Sequence, residues 1–525
     1  MRDFHKPGRS QVIAASGMCA TSHPLAAQTA VGILQAGGNA MDAAISAAIL
    51  LGIAEPQMTG IGGDCFVLFK PAGTEEVRAL NGSGRAPAGA SAAALREKGL
   101  TTVPTEGAVP VTIPTAMDAF CRLSNDWGKL GIDRLLAPTI HYAEEGIPIA
   151  PRVGFDLAKD AWRLSDSGRR HFLIDGQPPA VGQMFRAPGQ AEVLRRVAKE
   201  GRDGFYKGEV AEDMVATLKA AGGWHTLDDF AEAASNYTDP ISSTYKGTEL
   251  LEHPPNGHGA TAMLMLNILG HFDLAGMDPW GADRAHIEAE AAKLAYDTRN
   301  RVIADPDHCT RLEHMLSPET AAQLAALIKM DSALPMPVPS AEAVHKDTIY
   351  ITVVDKDRMA VSLIYSIFHG FGSGVASDKF GILLQNRGAG FSLQEGHVNE
   401  MAPGKRPLHT IIPGMLRENG RVTMPFGVMG GAYQPNGHAR LVTNLRDYGL
   451  NVQEALDSPR AFNDGTTMQV ERGYSDAVRA DLAARGHNVS IPEKPIGGGQ
   501  AIILREDGLL EGGSDPRKDG CALGY

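Results

Sequence analysis

Residues 346–366 read Lys346-Asp347-Thr348-Ile349-Tyr350-Ile351-Thr352-Val353-Val354-Asp355, then Lys356-Asp357-Arg358, then Met359-Ala360-Val361-Ser362-Leu363-Ile364-Tyr365-Ser366. Two β-rich runs flank three polar residues, the pattern of a hairpin with a three-residue loop. If Asp355 pairs with Met359, the same register places Thr348 directly opposite Ser366. Directly opposed Cβ atoms lie about 4.5–5.5 Å apart, so the two hydroxyls fall within or near hydrogen-bond reach. The plain interpretation is a stabilising pair across a hairpin. The chemical one needs more. A threonine becomes a strong nucleophile when its own α-amine acts as base, which requires cutting the Asp347–Thr348 peptide.

Upstream of the hairpin, Met330 to Ser340 contains three prolines in five residues, which preclude helix and ladder and mark the best linker in the chain. A flexible segment there would let a new carboxyl end move away from Thr348. Farther back, Ser22-His23-Pro24 opens a capped helix over Leu25 to Gln35. Gly37-Gly38 ends it, and Asn39 with Asp42 caps a second, Ala-rich helix. Asp64 to Lys70 is expected as a strand entered through the glycine turn Thr59-Gly60-Ile61-Gly62-Gly63. Helices are expected over Pro188 to Glu200, Val210 to Ala221 and Ala285 to Asn300, the last with an apolar stripe at Ile287, Ala291, Leu294 and Ala295. Beyond the hairpin, Gly381 to Gln385 and Gln500 to Arg505 read as strands. Helices preceding a strand-rich segment fit a layered α+β architecture.

Composition narrows the function classes. The 525 residues are 43% hydrophobic and 21% charged, the balance of a globular protein with a sizeable core. A net charge of −12 and the lack of a Lys/Arg stripe argue against nucleic acid as a partner. Cys19, Cys65, Cys121, Cys309 and Cys521 form no CxxC pair or metal-spaced cluster and read as reduced thiols. No apolar run follows Met1 to Ser10, and Ala40 to Ala54 is too short to span a bilayer. The expectation is a soluble, cytoplasmic protein without membrane partner. The glycine loops Gly370-Phe371-Gly372-Ser373-Gly374 and Gly60 to Gly63 invite comparison with phosphate-cradling loops. Neither has strand before and helix after, and the Walker lysine is missing.

The segments after the hairpin change the weight of the chemical interpretation. Gly370 to Gly374, Gly381-Ile382-Leu383-Leu384, Lys405-Arg406-Pro407-Leu408, Met429-Gly430-Gly431 and Ser514-Asp515-Pro516-Arg517 follow in order. Upstream stand Gly37 to Ala43, Thr59 to Asp64, Phe205-Tyr206-Lys207-Gly208, Pro254-Pro255 and Glu290 to Tyr296. Together these motifs, spread over nearly the whole chain, resemble the gamma-glutamyltranspeptidase superfamily of N-terminal nucleophile hydrolases. The resemblance implies a four-layer αββα sandwich and a precursor that cuts itself into a large chain, 1–347, and a small chain, 348–525. It implies Thr348 as nucleophile, Ser366 where relatives carry a second threonine, and the N–H groups of Gly430 and Gly431 as oxyanion donors. Such donors supply about 3–4 kcal/mol each to the transition state. Nucleophile, base and donors all come from the chain, so no metal or organic cofactor is implied. The implied partners are the two chains of one precursor, a small amide and, as an open matter, further copies of the protein.

The chain departs from transpeptidases where they clamp a glutamyl group. The clamp arginine falls on Ser83, the asparagine past the second hydroxyl on Phe368, the acidic residue after Gly-Ile-Leu-Leu on Ala389 or Gly390, and the double serine on His409-Thr410. Each hydrogen bond to a charged group is typically worth about 1.5–3 kcal/mol, so losing several should abolish glutamyl recognition. Arg387 brings positive charge instead and suggests a substrate carboxylate, with Arg85, His409 and Thr410 as further candidate substrate-binding residues. Gln-Asn-Arg-Gly with Pro-Leu-His-Thr is similar to the branch that includes oxamate amidohydrolases. The leading expectation is hydrolysis of a small carboxylate-bearing amide such as oxamate. Gamma-glutamyl transfer or glutathione hydrolysis, glutaryl-type acylase activity, and a processed but non-catalytic binding protein are the alternatives.

Overall fold

The computed structural model describes residue 5 and residues 8–335 and 348–525. Asp347, and the part of the proline-rich stretch beyond residue 335, lie outside the described residues.

Two seven-stranded antiparallel sheets form the centre. The first runs Cys521–Gly524, Met18–Thr21, Ile349–Val354, Ala360–Ser366, Asp64–Lys70, Arg78–Gly82, Asn236–Thr238. The second runs Val12–Ala14, Leu510–Ser514, Gly498–Leu504, Arg421–Met429, Gly414–Glu418, Thr248–Glu252, Ile241–Tyr245. Each draws strands from both sides of residue 348. The expected order of helices first and strands later is thus not what the chain adopts. Strands precede the linker, and helices such as Gln434–Arg446 follow it.

Alternation along the hairpin creates the layers, because successive strand side chains point to opposite faces. Ile349, Ile351, Val353, Val361, Leu363 and Tyr365 pack under the helices Pro24–Gln35 and Ala40–Ala54. Tyr350 and Ile364 turn the other way and meet Phe66, Ile411 and Met429 between the sheets. The helices Gly259–Leu269, Ala282–Val302 and Gln434–Arg446 cover the outer face of the second sheet. The result is the α+β sandwich of helix, sheet, sheet and helix. Close sheet contact depends on Gly427, where any Cβ would overlap the Tyr350 ring.

Local signals hold at the element ends. Asn39 and Asp42 form a reciprocal capping box, each bonding the other's backbone N–H at 3.0 Å. The helix they start is buried along its full length, as its alanines suggested. His23 caps the first helix through Nδ1. Gly381 to Gln385 is not a strand. Gly381 sits at φ +67°, and Leu383 and Leu384 make only isolated bridges to Ala376 and Gly62. The backbone there follows the glycine turn at 60–63 instead of a ladder. No helix among the described residues is long and apolar enough to cross a membrane.

Candidate active site

The hairpin register is the one its sequence predicts. Ile349 lies opposite Tyr365 and Val354 opposite Ala360. Thr348 precedes the first rung and donates from Oγ1 to Ser366 Oγ at 3.2 Å. Both are buried. Being even-numbered, they share the inter-sheet face with Tyr350 and Ile364. The same Ser366 oxygen accepts the Phe368 N–H at 2.8 Å. Phe368 holds φ +80°, a conformation that strains a bulky L-residue by about 1–3 kcal/mol and tends to accompany functional sites.

Next to Ser366 across the sheet stands Asp64, the first residue of the strand DCFVLFK. Gly63 allows this approach, since a Cβ there would overlap the Ser366 carbonyl oxygen. Asp64 has no access to solvent and accepts from His409 Nε2 at 2.6 Å and from Arg387 at 3.4 Å. Arg387 also donates to Thr410 Oγ1 at 3.0 Å and lies over the Phe368 ring at 4.1 Å. Its Nε is buried without a hydrogen-bond partner. Three candidates read from sequence, Arg387, His409 and Thr410, therefore meet in one buried cluster beside the hydroxyl pair. Their organising residue, Asp64, escaped the sequence reading as a site residue. The available signal was an acid opening an otherwise apolar strand behind a glycine turn.

Charge in the cluster balances. Burial alone would raise the Asp64 carboxyl, but His409 and Arg387 outweigh it and hold it below the usual carboxylate range. Burial lowers the Arg387 guanidinium, which Asp64 partly restores. Burial, helped by the Arg387 charge, pushes His409 down to about 4. At neutral pH the imidazole is uncharged, with Nε2–H donated to Asp64. One cation faces one anion.

Arg85 lies elsewhere. Its side chain is 47% exposed, donates to the Gly404 carbonyl at 2.8 Å and faces Asp305 at 3.6 Å. With Arg406, Asp305 and Asp307 it lines an open hollow of about 670 Å³. Gly84 before it admits no side chain, because a Cβ would run into the Ile113 carbonyl. Ser83, at the position of the transpeptidase clamp, bonds Asn81 Oδ1 at 2.7 Å.

Gly430 and Gly431 follow the strand Arg421–Met429 with φ +118° and +55°. They open a helical turn that leads into Gln434–Arg446, so their N–H groups lie where a helix favours negative charge. A Cβ on Gly430 would stand 2.9 Å from Gly497 Cα. Glycine is required there by both backbone angle and space.

A gamma-glutamyltranspeptidase family model matches residues 26–525. The chain belongs to the gamma-glutamyltranspeptidase family. A glutathione hydrolase-like YwrD proenzyme of Bacillus subtilis is 35% identical, over 98% of this chain and 99% of its own length. An oxamate amidohydrolase proenzyme of Klebsiella pneumoniae is 34% identical, over 98% of this chain and all of its own. The crystal structure of a cephalosporin acylase from Bacillus halodurans superposes with a TM-score of 0.92 at 38% identity, covering 100% of this chain and 99% of that one. Membership makes the protein an enzyme, a hydrolase of the N-terminal nucleophile type, in a family of autoprocessed amidohydrolases and acylases.

Among the described residues, His286, Glu290 and His487 bring metal-capable atoms within 4.8 Å of one another. Those atoms are already engaged. Glu290 binds Lys293 at 2.7 Å and the Leu334 N–H at 2.6 Å, and the two imidazoles bond each other at 2.8 Å. The group is a finished hydrogen-bond network that grips the described end of the linker.

Proposed function

We propose that the precursor cuts itself between Asp347 and Thr348 and that the freed Thr348 hydrolyses a small carboxylate-bearing amide, with oxamate as the leading candidate. The observation that carries this reading is the Thr348–Ser366 hydroxyl pair, beside a buried arginine. In the precursor, Thr348 Oγ1 adds to the Asp347 carbonyl, and the acyl group moves from nitrogen to oxygen. Water then hydrolyses the ester and leaves a free α-amine on Thr348. That amine takes the Oγ1 proton as the hydroxyl attacks the substrate carbonyl. The tetrahedral oxyanion accepts hydrogen bonds from Gly430 and Gly431 N–H. The C–N bond breaks as the amine returns its proton to the leaving nitrogen, and ammonia departs. Water hydrolyses the acyl-Thr348 ester, which for oxamate releases oxalate.

Substrate choice follows from the cluster. Both Asp64 oxygens are occupied, so an ammonium finds no free carboxylate there. Arg387 retains an unpartnered Nε for an anionic acceptor. The similarity to an oxamate amidohydrolase proenzyme supports the same substrate class. The chains 1–347 and 348–525 would stay together after scission, because both sheets are built from both. We place the enzyme in the cytoplasm, in keeping with five unpaired cysteines.

Denaturing electrophoresis with intact-mass analysis tests scission: two chains for the parent, one for Thr348→Ala. An ammonia-release screen of the mature enzyme over oxamate, glutamine, γ-glutamyl anilide and glutaryl amides tests the substrate. Faster release from a γ-glutamyl or glutaryl compound overturns the oxamate assignment, and processed protein inert on every amide would indicate a binding protein.

A further inference from the structure

The strands Gly414–Glu418 and Arg421–Met429 pair only as far as Gly414 opposite Phe426. Beyond that rung they part, and the helix Gln434–Arg446 fills the gap with side chains. Gln434 Oε1 accepts the Ile412 N–H at 2.8 Å, and His438 Nε2 accepts the Val428 N–H at 3.3 Å. His438 is fully buried and its Nδ1 lies 2.6 Å from Glu252 Oε1, also fully buried, at the end of the neighbouring strand Thr248–Glu252. A neutral imidazole has one donor and one acceptor nitrogen, and which is which depends on its partners. Glu252 draws the proton to Nδ1, and that leaves the Nε2 lone pair for Val428. Val428 is two residues before Gly430.

We propose that Glu252 and His438 are positioning residues for the oxyanion donors: the carboxylate holds the imidazole in the tautomer that anchors Val428 and thereby sets the orientation of the Gly430 and Gly431 N–H groups. This rests on the assignment of those two glycines as oxyanion donors under the proposed function. Neither residue touches substrate. Neither belongs to the cluster around Asp64, and no motif in the sequence marked them. Their effect should appear where negative charge develops on the substrate oxygen and not in ground-state binding.

Glu252→Leu removes the acceptor and leaves an apolar side chain of similar size. The ring is then free to carry its proton on Nε2, where it confronts the Val428 N–H donor to donor. Glu252→Gln keeps a carbonyl oxygen for Nδ1–H and should recover most of the loss. His438→Leu is the companion variant should Glu252→Leu fail to mature. Two readouts apply to mature enzyme: kcat and KM on the fastest amide of the screen, and affinity for phenylboronic acid, whose tetrahedral adduct on Thr348 places an oxygen in the oxyanion position. The expected result is a fall in kcat of about 10-fold or more, KM within about twofold, a matching loss of boronate affinity, and thermal midpoints close to the parent. Parental kcat and boronate affinity in Glu252→Leu would overturn the proposal. So would equal losses in kcat and KM with a large drop in thermal midpoint, the signature of a purely structural pair. Chain scission that persists in Thr348→Ala would instead sink the assignment of the nucleophile.

Discussion

Substituting Gly430 by alanine separates an oxyanion loop from an ordinary turn. In the folded chain Gly430 has φ +118°, and an added Cβ would stand 2.9 Å from Gly497 Cα and 3.4 Å from Tyr433 Cβ. Carbon atoms in contact prefer about 3.5–4.0 Å, so the loop must shift by at least about half an ångström. Gly497 cannot yield easily. Its own Cβ position lies 2.5 Å from the Met429 carbonyl, which packs it against the same strand end. Removing one well-placed oxyanion donor costs about 100- to 1,000-fold in kcat, or roughly 2.7–4 kcal/mol. A half-ångström displacement should reach the lower end of that range. Gly420→Ala is the control. Gly420 also has positive φ, +79°, but nothing stands near its Cβ position, and it lies at the far end of the same strand pair. Both variants should lose stability through backbone strain, by about 1 kcal/mol or more. Only Gly430→Ala should lose kcat. The assay is ammonia release from mature enzyme, with thermal midpoints measured in parallel. Equal kcat in the two variants would refute the reasoning.

Other predictions address the remaining parts of the site. Asp64→Asn leaves the Arg387 charge buried without its partner and should cost about 3–5 kcal/mol, seen as a lower urea midpoint. Adding Arg387→Met should restore most of that stability while activity stays lost; a stable Asp64→Asn single variant would count against the pairing. Ser366→Ala should keep the fold but lower kcat, because Thr348 Oγ1 loses its acceptor and Phe368 N–H its anchor, and an unchanged kcat would show the pair to be incidental. Acid should weaken the fold. Burial pushes His409 down to about 4 and His253 to about 3, so between pH 6.5 and those values the unfolded chain binds protons that the folded one refuses. Stability then falls as pH drops through that window, by up to about 3 kcal/mol for His409. A urea midpoint flat from pH 7 to 4 would contradict it.

Part of this protein is written locally. Alternation in 348–366 sets the hairpin, its register and the opposition of Thr348 to Ser366, because a period of two admits no one-residue slip without turning every side chain over. The capping box at Asn39 and the helix Pro188–Glu200 rest on neighbouring residues and were equally legible. Gly381 to Gln385 was misread because its apolar composition suits a strand, while its backbone is claimed by the glycine turn at 60–63.

Other features exist only once distant segments meet. Arg387 was legible as a cation near the position where transpeptidases carry an acid, but its burial against Asp64, its stacking on Phe368 and the neutrality of His409 depend on residues up to 345 positions apart in the chain. Arg85, a further candidate in the sequence, ends up exposed and turned toward Asp305. Local pattern decides which face of an element a side chain takes. What stands opposite that face, and so whether a charge is solvated, paired or held for a ligand, is decided by the packing of the two sheets and the helices that cover them.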